Sequence, residues 1–316
     1  MDLKTLQDRQ GWSLEQKIDH SVGAVEAFIA RTGRPVYVSF SGGKDSTVVL
    51  DLVRRFIDPN IKAVFNNTGN EYPEIVKFVK STENVTIISP RIPIRKVISD
   101  YGFPLISKEQ ALGIREAKTT KSPKLLDIRL NGSPKSKGRK VGKISDRWQF
   151  LIYEPFMVSE KCCEILKKRP FRDYEKRTGE LPILGTMAGE SRLRQQAYIS
   201  RGGCNSFKEG KLSSNPISIW TEDDIWAYIK RFNVPYCDIY NQRGCNRTGC
   251  MFCGFGAHIE KESRFRLLYR LHPEFYRICL GYENNGVTYR EALHKIGLTL
   301  PDDPDRPLTL FPDDEW

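Results

Sequence analysis

A doubly wound, mostly parallel α/β sheet is the fold class the sequence predicts, and three observations predict it. Strand-like and helix-spaced runs alternate through the first ninety residues, the first strand ends in a glycine turn that opens a helix, and 316 residues of 39% hydrophobic composition suffice for a full core. After a helical lead-in from Leu14 to Arg31, the run Pro35-Val36-Tyr37-Val38-Ser39-Phe40 reads as the first strand. Val48, Val49, Leu52, Val53 and Phe56 then recur at helical spacing. A second strand at Ile61–Phe65, a helix from about Pro73 to Ser81 and a third strand at Val85–Ile88 continue the alternation, and right-handed crossovers make the sheet parallel. Later, Leu181–Gly185 reads as a strand and Thr221–Ile229 as a helix, with Thr221 and Asp224 at capping-box spacing. The expected division is an α/β domain over 1–235, interrupted at about 107–147 by a lysine-rich insertion outside the core, and a cysteine-rich turn with helices over 236–316. That insertion contains Lys135-Ser136-Lys137-Gly138-Arg139-Lys140.

Composition narrows the function classes. The N-terminus lacks a secretory layout and no apolar run approaches the roughly 20 residues of a membrane span, so a soluble cytoplasmic protein without membrane contact is expected. In that compartment eight clustered cysteines point to metal binding or chemistry rather than to a disulfide framework. A formal net charge of +11 favours polyanionic partners, phosphorylated small molecules or nucleic acid. The stretch Lys118 to Lys143 is the candidate tRNA or DNA contact, with a solvated loop as the plain alternative.

The glycine turn is Ser41-Gly42-Gly43-Lys44-Asp45-Ser46. Glycines let backbone approach a ligand, first-turn amides of the next helix face its phosphates, Ser41 and Ser46 add hydroxyls, and Lys44 adds a point charge. A Walker A loop needs Ser or Thr after the lysine, and Asp45 stands there instead. The hexapeptide resembles the PP-loop of the ATP pyrophosphatase (adenine nucleotide alpha hydrolase-like) superfamily, which implies binding of the pyrophosphate part of ATP.

Beyond the second strand, Asn67-Thr68-Gly69-Asn70-Glu71-Tyr72-Pro73-Glu74 resembles the Thr-Gly-x-x-x-Pro-Glu segment of the phosphoadenosine phosphosulfate reductase family. Gly189-Glu190-Ser191-x-x-Arg194 is similar to that family's substrate-binding element. The resemblance implies a nucleotide site drawing on Ser39, the loop Ser41, Gly42, Gly43, Lys44, Asp45 and Ser46, with Thr68, Gly69, Glu190 and Ser191. Lys44, Asp45 and Arg194 are its candidate catalytic groups, ATP or another adenine nucleotide its ligand, and Mg2+ its counter-ion. Arg192 and Arg194 are also candidates to clamp an anionic substrate.

Thiolates suit iron–sulfur clusters and zinc, and a Cys-x-x-Cys turn presents two sulfurs to one centre. Cys162-Cys163, followed 87 positions later by Cys250-Met251-Phe252-Cys253, resembles the four-iron four-sulfur signature of adenosine phosphosulfate reductases. It implies Cys162, Cys163, Cys250 and Cys253 as ligands; Cys245 or Cys237 could replace the adjacent pair, as in the locally grouped set of DNA phosphorothioation enzymes, and zinc is the competing metal. Cys204 and Cys279 read as ordinary thiols.

Reductases of this family attack sulfur with a cysteine in a Glu-Cys-Gly-Leu-His tail, whereas residues 308–316 here read Leu-Thr-Leu-Phe-Pro-Asp-Asp-Glu-Trp. The expected activity is therefore adenylation-dependent sulfur transfer to an anionic or nucleic-acid acceptor, with a sulfur-donor protein as a further partner. Sulfonucleotide reduction with sulfite release is the first alternative, and a noncatalytic nucleotide- or nucleic-acid-binding subunit the second.

Overall fold

The computed structural model describes residues 2–134, 140–260 and 263–304. Most of the Lys135–Lys140 run and the 308–316 segment lie outside the described residues. The chain forms two compact units, each assembled from two stretches: residues 1–90 with 168–248, and residues 91–167 with 249–316. The grouping therefore follows contacts made late in the chain, not a linear cut at 235/236. No helix among the described residues is long and apolar enough to cross a membrane.

The first unit carries the sheet. Strands β1 (Val36–Ser39), β2 (Ala63–Asn66) and β3 (Val85–Ile88) pair in parallel, with Val38 opposite Ala63 and Val64 opposite Thr86. The chain then returns to the other side of β1, where Leu181–Leu184 pairs with it in parallel, Val38 opposite Ile183. Short strands Ser213–Ser214 and Asn205–Ser206 extend that side, the last pairing antiparallel. The order in which parallel strands are added thus reverses at β1, the switch point at whose carboxyl edge ligands collect in open α/β sheets.

Helix α1 (Leu3–Gln10) and helix α2 (Leu14–Thr32) precede the sheet. Ser13 and Gln16 form a reciprocal capping box at the start of α2, and Gly33, in the left-handed region, ends it. Helix α3 (Lys44–Phe56) buries Val48, Val49, Leu52 and Val53 completely, and each such side chain contributes about 1.5–3 kcal/mol relative to exposure. Helix α4 (Pro73–Ser81) begins on a proline, which lacks the amide that the first helical position leaves unbonded anyway. The expected helix at 221–229 is Glu222–Phe232, with the Thr221–Asp224 capping box in place.

The second unit corrects the expectation for 107–147. Lysine density suggested an insertion outside the core, but Ser107 caps a helix, Lys108–Thr119, that buries Ala111, Gly113, Ile114 and Ala117. Only Lys108 and Lys118 of the lysines lie in this helix, one at each end, and Lys118 reaches back to the Phe156 carbonyl at 2.8 Å. A second helix, Pro123–Asn131, follows, and Arg129 of that helix is ion-paired with Glu116. Helices Arg264–Leu271, Pro273–Leu280 and Tyr289–Lys295 complete this unit.

Candidate functional site

The phosphate loop lies between the end of β1 and the start of α3, where Ser39 is half-buried and Ser41 exposed. Gly42 has φ +71°, and a Cβ there would come within 2.9 Å of the Ile75 and Val79 methyls of α4. Gly185, just beyond Leu181–Leu184, has room for no side chain either, because a Cβ would lie 3.0 Å from the Ser46 backbone. The loop is therefore clamped by backbone on one side and by α4 on the other. Ser46 Oγ accepts the Ser41 amide at 3.1 Å and donates to the Gly43 carbonyl at 2.9 Å, closing the turn on itself. Helix α3 has no side-chain cap at Gly43, so its first-turn amides face outward without intrahelical acceptors.

Lys44 is 3% exposed. Its ammonium lies 3.3 Å from Glu222 and 3.8 Å from Asp45, and donates to the Asn246 carbonyl at 3.2 Å. Burial raises the Asp45 carboxyl above its ordinary range; Lys44 opposes this and Glu222 adds to it. Asp45 Oδ1 is buried and accepts no hydrogen bond. Glu190 is ion-paired with Arg194 and lies 3.7 Å from Arg247. Burial pushes the Arg194 guanidinium down, the Arg247 charge adds to this, and Asp45 opposes it. Arg192 is exposed, and Ser191 is spent on capping the helix Arg192–Arg201, its hydroxyl accepting the Arg194 amide at 3.3 Å.

At the end of β2 the segment 67–71 folds into a self-bonded turn. Glu71 accepts the Thr68 amide at 2.9 Å and the Thr68 hydroxyl at 2.8 Å, and Asn67 accepts the Gly69 amide at 3.1 Å. Gly69 has φ +77° with open space at its Cβ position. Asn70 is 1% exposed, yet neither atom of its side-chain amide has a hydrogen-bond partner. Sequence reasoning quoted Asn70 without assigning it a role and missed Glu222, Tyr240, Asn246, Arg247 and Thr248. Nothing local marks them, although Tyr240 to Thr248 run directly into the Cys250 turn.

The cysteines divide between the units. Cys162, Cys163, Cys250 and Cys253 belong to the second unit; Cys237 and Cys245 are buried in the first, where the neighbouring charges on Cys245 are Cys237, Lys44 and Glu74. What gathers the four thiols is the short stretch 103–106. Phe103 bridges Val158 in parallel, and the Ser159 amide donates to the Phe103 carbonyl at 2.9 Å, four residues before Cys163. Leu105 and Ile106 pair in parallel with Gly254 and Phe255, directly after Cys253. Gly254 has to be glycine, since a Cβ would lie 2.5 Å from the Pro104 carbonyl oxygen and 2.6 Å from the Tyr289 hydroxyl. The Tyr289 hydroxyl in turn donates to the Phe252 carbonyl at 3.0 Å, and the Cys253 amide closes the Cys-x-x-Cys turn on the Cys250 carbonyl at 3.2 Å. Arg115 grips Glu160 with two bonds of 3.0 and 2.9 Å, anchoring the chain just before Cys162. A π-helical turn, Glu164–Lys168, follows the pair.

Electrostatically the four thiols sense one another. A hydrogen bond to Cys163 and burial hold the Cys162 proton on, reinforced by Cys163, Cys253 and Cys250. That same bond from Cys162 favours the Cys163 thiolate, burial opposes it, and Lys108 and Lys167 assist it. Burial pushes Cys253 up to about 11. Among the described residues no three Cys, His, Asp or Glu side chains converge tightly enough to hold a metal ion. The set thus fits a cluster or zinc in donor type and neighbourhood, and not in a ready-made cage. Mg2+ asks less of protein, usually one or two carboxylates beside substrate phosphates, and Asp45 and Glu222 are the carboxylates beside Lys44. Cys204 and Cys279 are buried thiols pushed up by burial, Cys279 to about 12.

Comparison with known proteins identifies the family. Residues 35–96 and 112–254, more than half of the chain, match the family model described as phosphoadenosine phosphosulfate reductase domain. An uncharacterized protein of Methanocaldococcus jannaschii is 26% identical over 284 residues, 88% of this chain and 46% of that protein. An adenosine 5'-phosphosulfate reductase of Neisseria meningitidis is 30% identical over 110 residues, 35% of this chain and 43% of that protein. The chain spans about half the length of the curated relatives it matches. The crystal structure of a phosphoadenylyl-sulfate reductase from Candida auris, in a phosphate complex, overlaps 79% of this chain and 96% of that one at 14% identity, with a TM-score of 0.41.

Proposed function

The chain belongs to the phosphoadenosine phosphosulfate reductase family, and from that premise we propose that it binds Mg2+-ATP at the Ser41–Ser46 loop, adenylates an anionic acceptor and supports transfer of sulfur to it. The observation that carries this reading is the buried Asp45 carboxyl beside Lys44 and Glu222 at the mouth of the loop. Two carboxylates in a phosphate site repel a bare polyanion, whereas a bridging divalent cation turns the same groups into attractive ones. That pairing suits a Mg2+-nucleotide better than an uncomplexed phosphosulfate.

Lys44 and the first-turn amides of α3 would hold the pyrophosphate portion, and Asp45 with Glu222 would hold Mg2+, whose charge stabilises the departing pyrophosphate. Arg194, kept in place by Glu190, would face the α-phosphate or the acceptor. An acceptor oxygen attacks the α-phosphorus, the bond to pyrophosphate breaks, and the adenylated acceptor then exchanges AMP for sulfur. Cys162, Cys163, Cys250 and Cys253 would hold an iron–sulfur cluster, which supplies a site for sulfur to bind or pass through. The +11 charge supports a nucleic-acid acceptor such as tRNA or DNA, and the sulfur donor is taken to be a separate protein.

The test is release of labelled pyrophosphate from ATP in the presence of tRNA, DNA and small anions. Acceptor-dependent release of pyrophosphate with AMP retained on the acceptor is expected, and free AMP once a sulfur donor is added; cleavage to ADP alone contradicts the reading. The second reading, sulfonucleotide reduction, is favoured by the aligned adenosine phosphosulfate reductase segment. It predicts thiol-dependent sulfite release from a sulfated adenine nucleotide. Cys279 is a poor nucleophile for that route, since burial raises its thiol to about 12.

A further inference from the structure

The donors that a phosphate would need from Lys44 already have acceptors. Its amide donates to the Tyr240 hydroxyl at 3.0 Å and its ammonium to the Asn246 carbonyl at 3.2 Å. Tyr240 is held in turn by the Thr248 hydroxyl at 2.8 Å. A Cβ built on Gly43 would lie 3.0 Å from that Thr248 oxygen and 3.2 Å from the Tyr240 oxygen, so the two hydroxyls sit directly over the entrance to α3. One amide directs its hydrogen well at one acceptor only, so a phosphate oxygen and the Tyr240 oxygen compete for Lys44.

The segment carrying these acceptors is mostly exposed, and Arg247 within it lies 3.7 Å from Glu190. Residues 241–244, 246 and 247 are exposed, and Cys245 is the buried side chain between Tyr240 and Thr248. Gly244 has φ +82°, and nothing lies within 4 Å of a Cβ on Gly249. Few buried contacts and an exposed backbone mark a region of low local stability. Its contacts with Lys44 are neutral oxygens, whereas a phosphate oxygen brings a full opposite charge to the same ammonium and amide.

We propose that residues 240–248 form a strap that occupies the phosphate-binding donors of Lys44 and is displaced when a nucleotide's phosphates arrive. The strap satisfies a buried ammonium and an outward amide in the meantime, and its release is a cost that ligand binding has to offset. The inference rests on the Ser41–Ser46 loop being the phosphate site. Hydrogen exchange of the full-length protein with and without saturating inorganic pyrophosphate separates the two ideas. The expected result is slower exchange over 41–46 with faster exchange over 240–248. Slower exchange in both segments makes the strap part of the bound site, overturning the strap while leaving the phosphate loop standing. No change in either contradicts both. Tyr240→Phe, which keeps the ring and removes the competing oxygen, is expected to tighten pyrophosphate binding by roughly three- to tenfold, the factor one net hydrogen bond represents. Unchanged or weaker binding overturns the proposal.

Discussion

Six consecutive residues, Ser41 to Ser46, make the phosphate loop, whereas the four candidate ligand thiols, all in the second unit, come from Cys162-Cys163 and, 87 positions later, Cys250 and Cys253. The loop works through backbone: a positive-φ glycine, outward amides and one lysine at a sheet edge. The proposed cysteine centre would work through side chains brought near one another by the stretch 103–106, which pairs with Val158 on one side and Gly254-Phe255 on the other. A site of the first kind is written locally. A site of the second kind exists only once the unit has folded.

The largest effect expected from breaking this contrast is at Cys250. Cys250→Ser should abolish bound iron and sulfide in anaerobically purified protein while ATP binding persists, read by metal analysis and equilibrium dialysis. Stoichiometric zinc without iron in the unaltered protein would reassign the centre. Next comes Gly254→Ala, which forces a methyl to 2.5 Å from the Pro104 carbonyl oxygen and should lower the iron content with all four thiols intact. Full iron retention would mean that the Leu105–Phe255 pairing does not position the cysteines.

The matching change in the first unit is Gly42→Ala. The left-handed backbone and the 2.9 Å approach to Ile75 and Val79 should cost about 1–3 kcal/mol in urea unfolding and weaken ATP binding without loss of iron. Unaltered stability would show that the loop is not clamped on α4.

The smallest effect concerns β1, which carries the loop. The Tyr37 hydroxyl donates to Glu175 at 2.8 Å; burial raises the Glu175 carboxyl, and that bond opposes the rise. The folded state therefore binds this proton more tightly than the unfolded chain. The resulting stability is fully present below the unfolded carboxylate value, about 4.3, and is lost as pH rises through the raised folded value. Glu175→Gln should remove that decline from urea midpoints measured across mildly acidic pH. An identical decline in the variant would place the proton elsewhere.

The same contrast explains what could be read in advance. Short apolar runs located β1, β2 and β3, and helix-spaced apolar residues located α3 and α4, because contiguous burial in a strand and period-3.6 burial in a helix leave their mark on neighbouring residues. The loop was visible because its glycines and serines are contiguous. The helix Lys108–Thr119 was not, since its buried positions are two alanines, a glycine and one isoleucine among charged residues of both signs, a weak apolar signal. The 103–106 stretch is too short to show periodicity, so the device that assembles the cysteines went unread. Tyr240 and Asn246 reach Lys44 from about two hundred residues away, and only tertiary structure records those contacts.

The central claim is that the Ser41–Ser46 loop grips nucleotide phosphates through Lys44. Calorimetric titration of the unaltered protein and of Lys44→Gln with a non-cleavable ATP analogue in Mg2+ tests it most directly. The account predicts saturable binding that the substitution weakens by roughly ten- to a hundredfold, the worth of one charge-assisted contact. Equal affinity in the two proteins would contradict it.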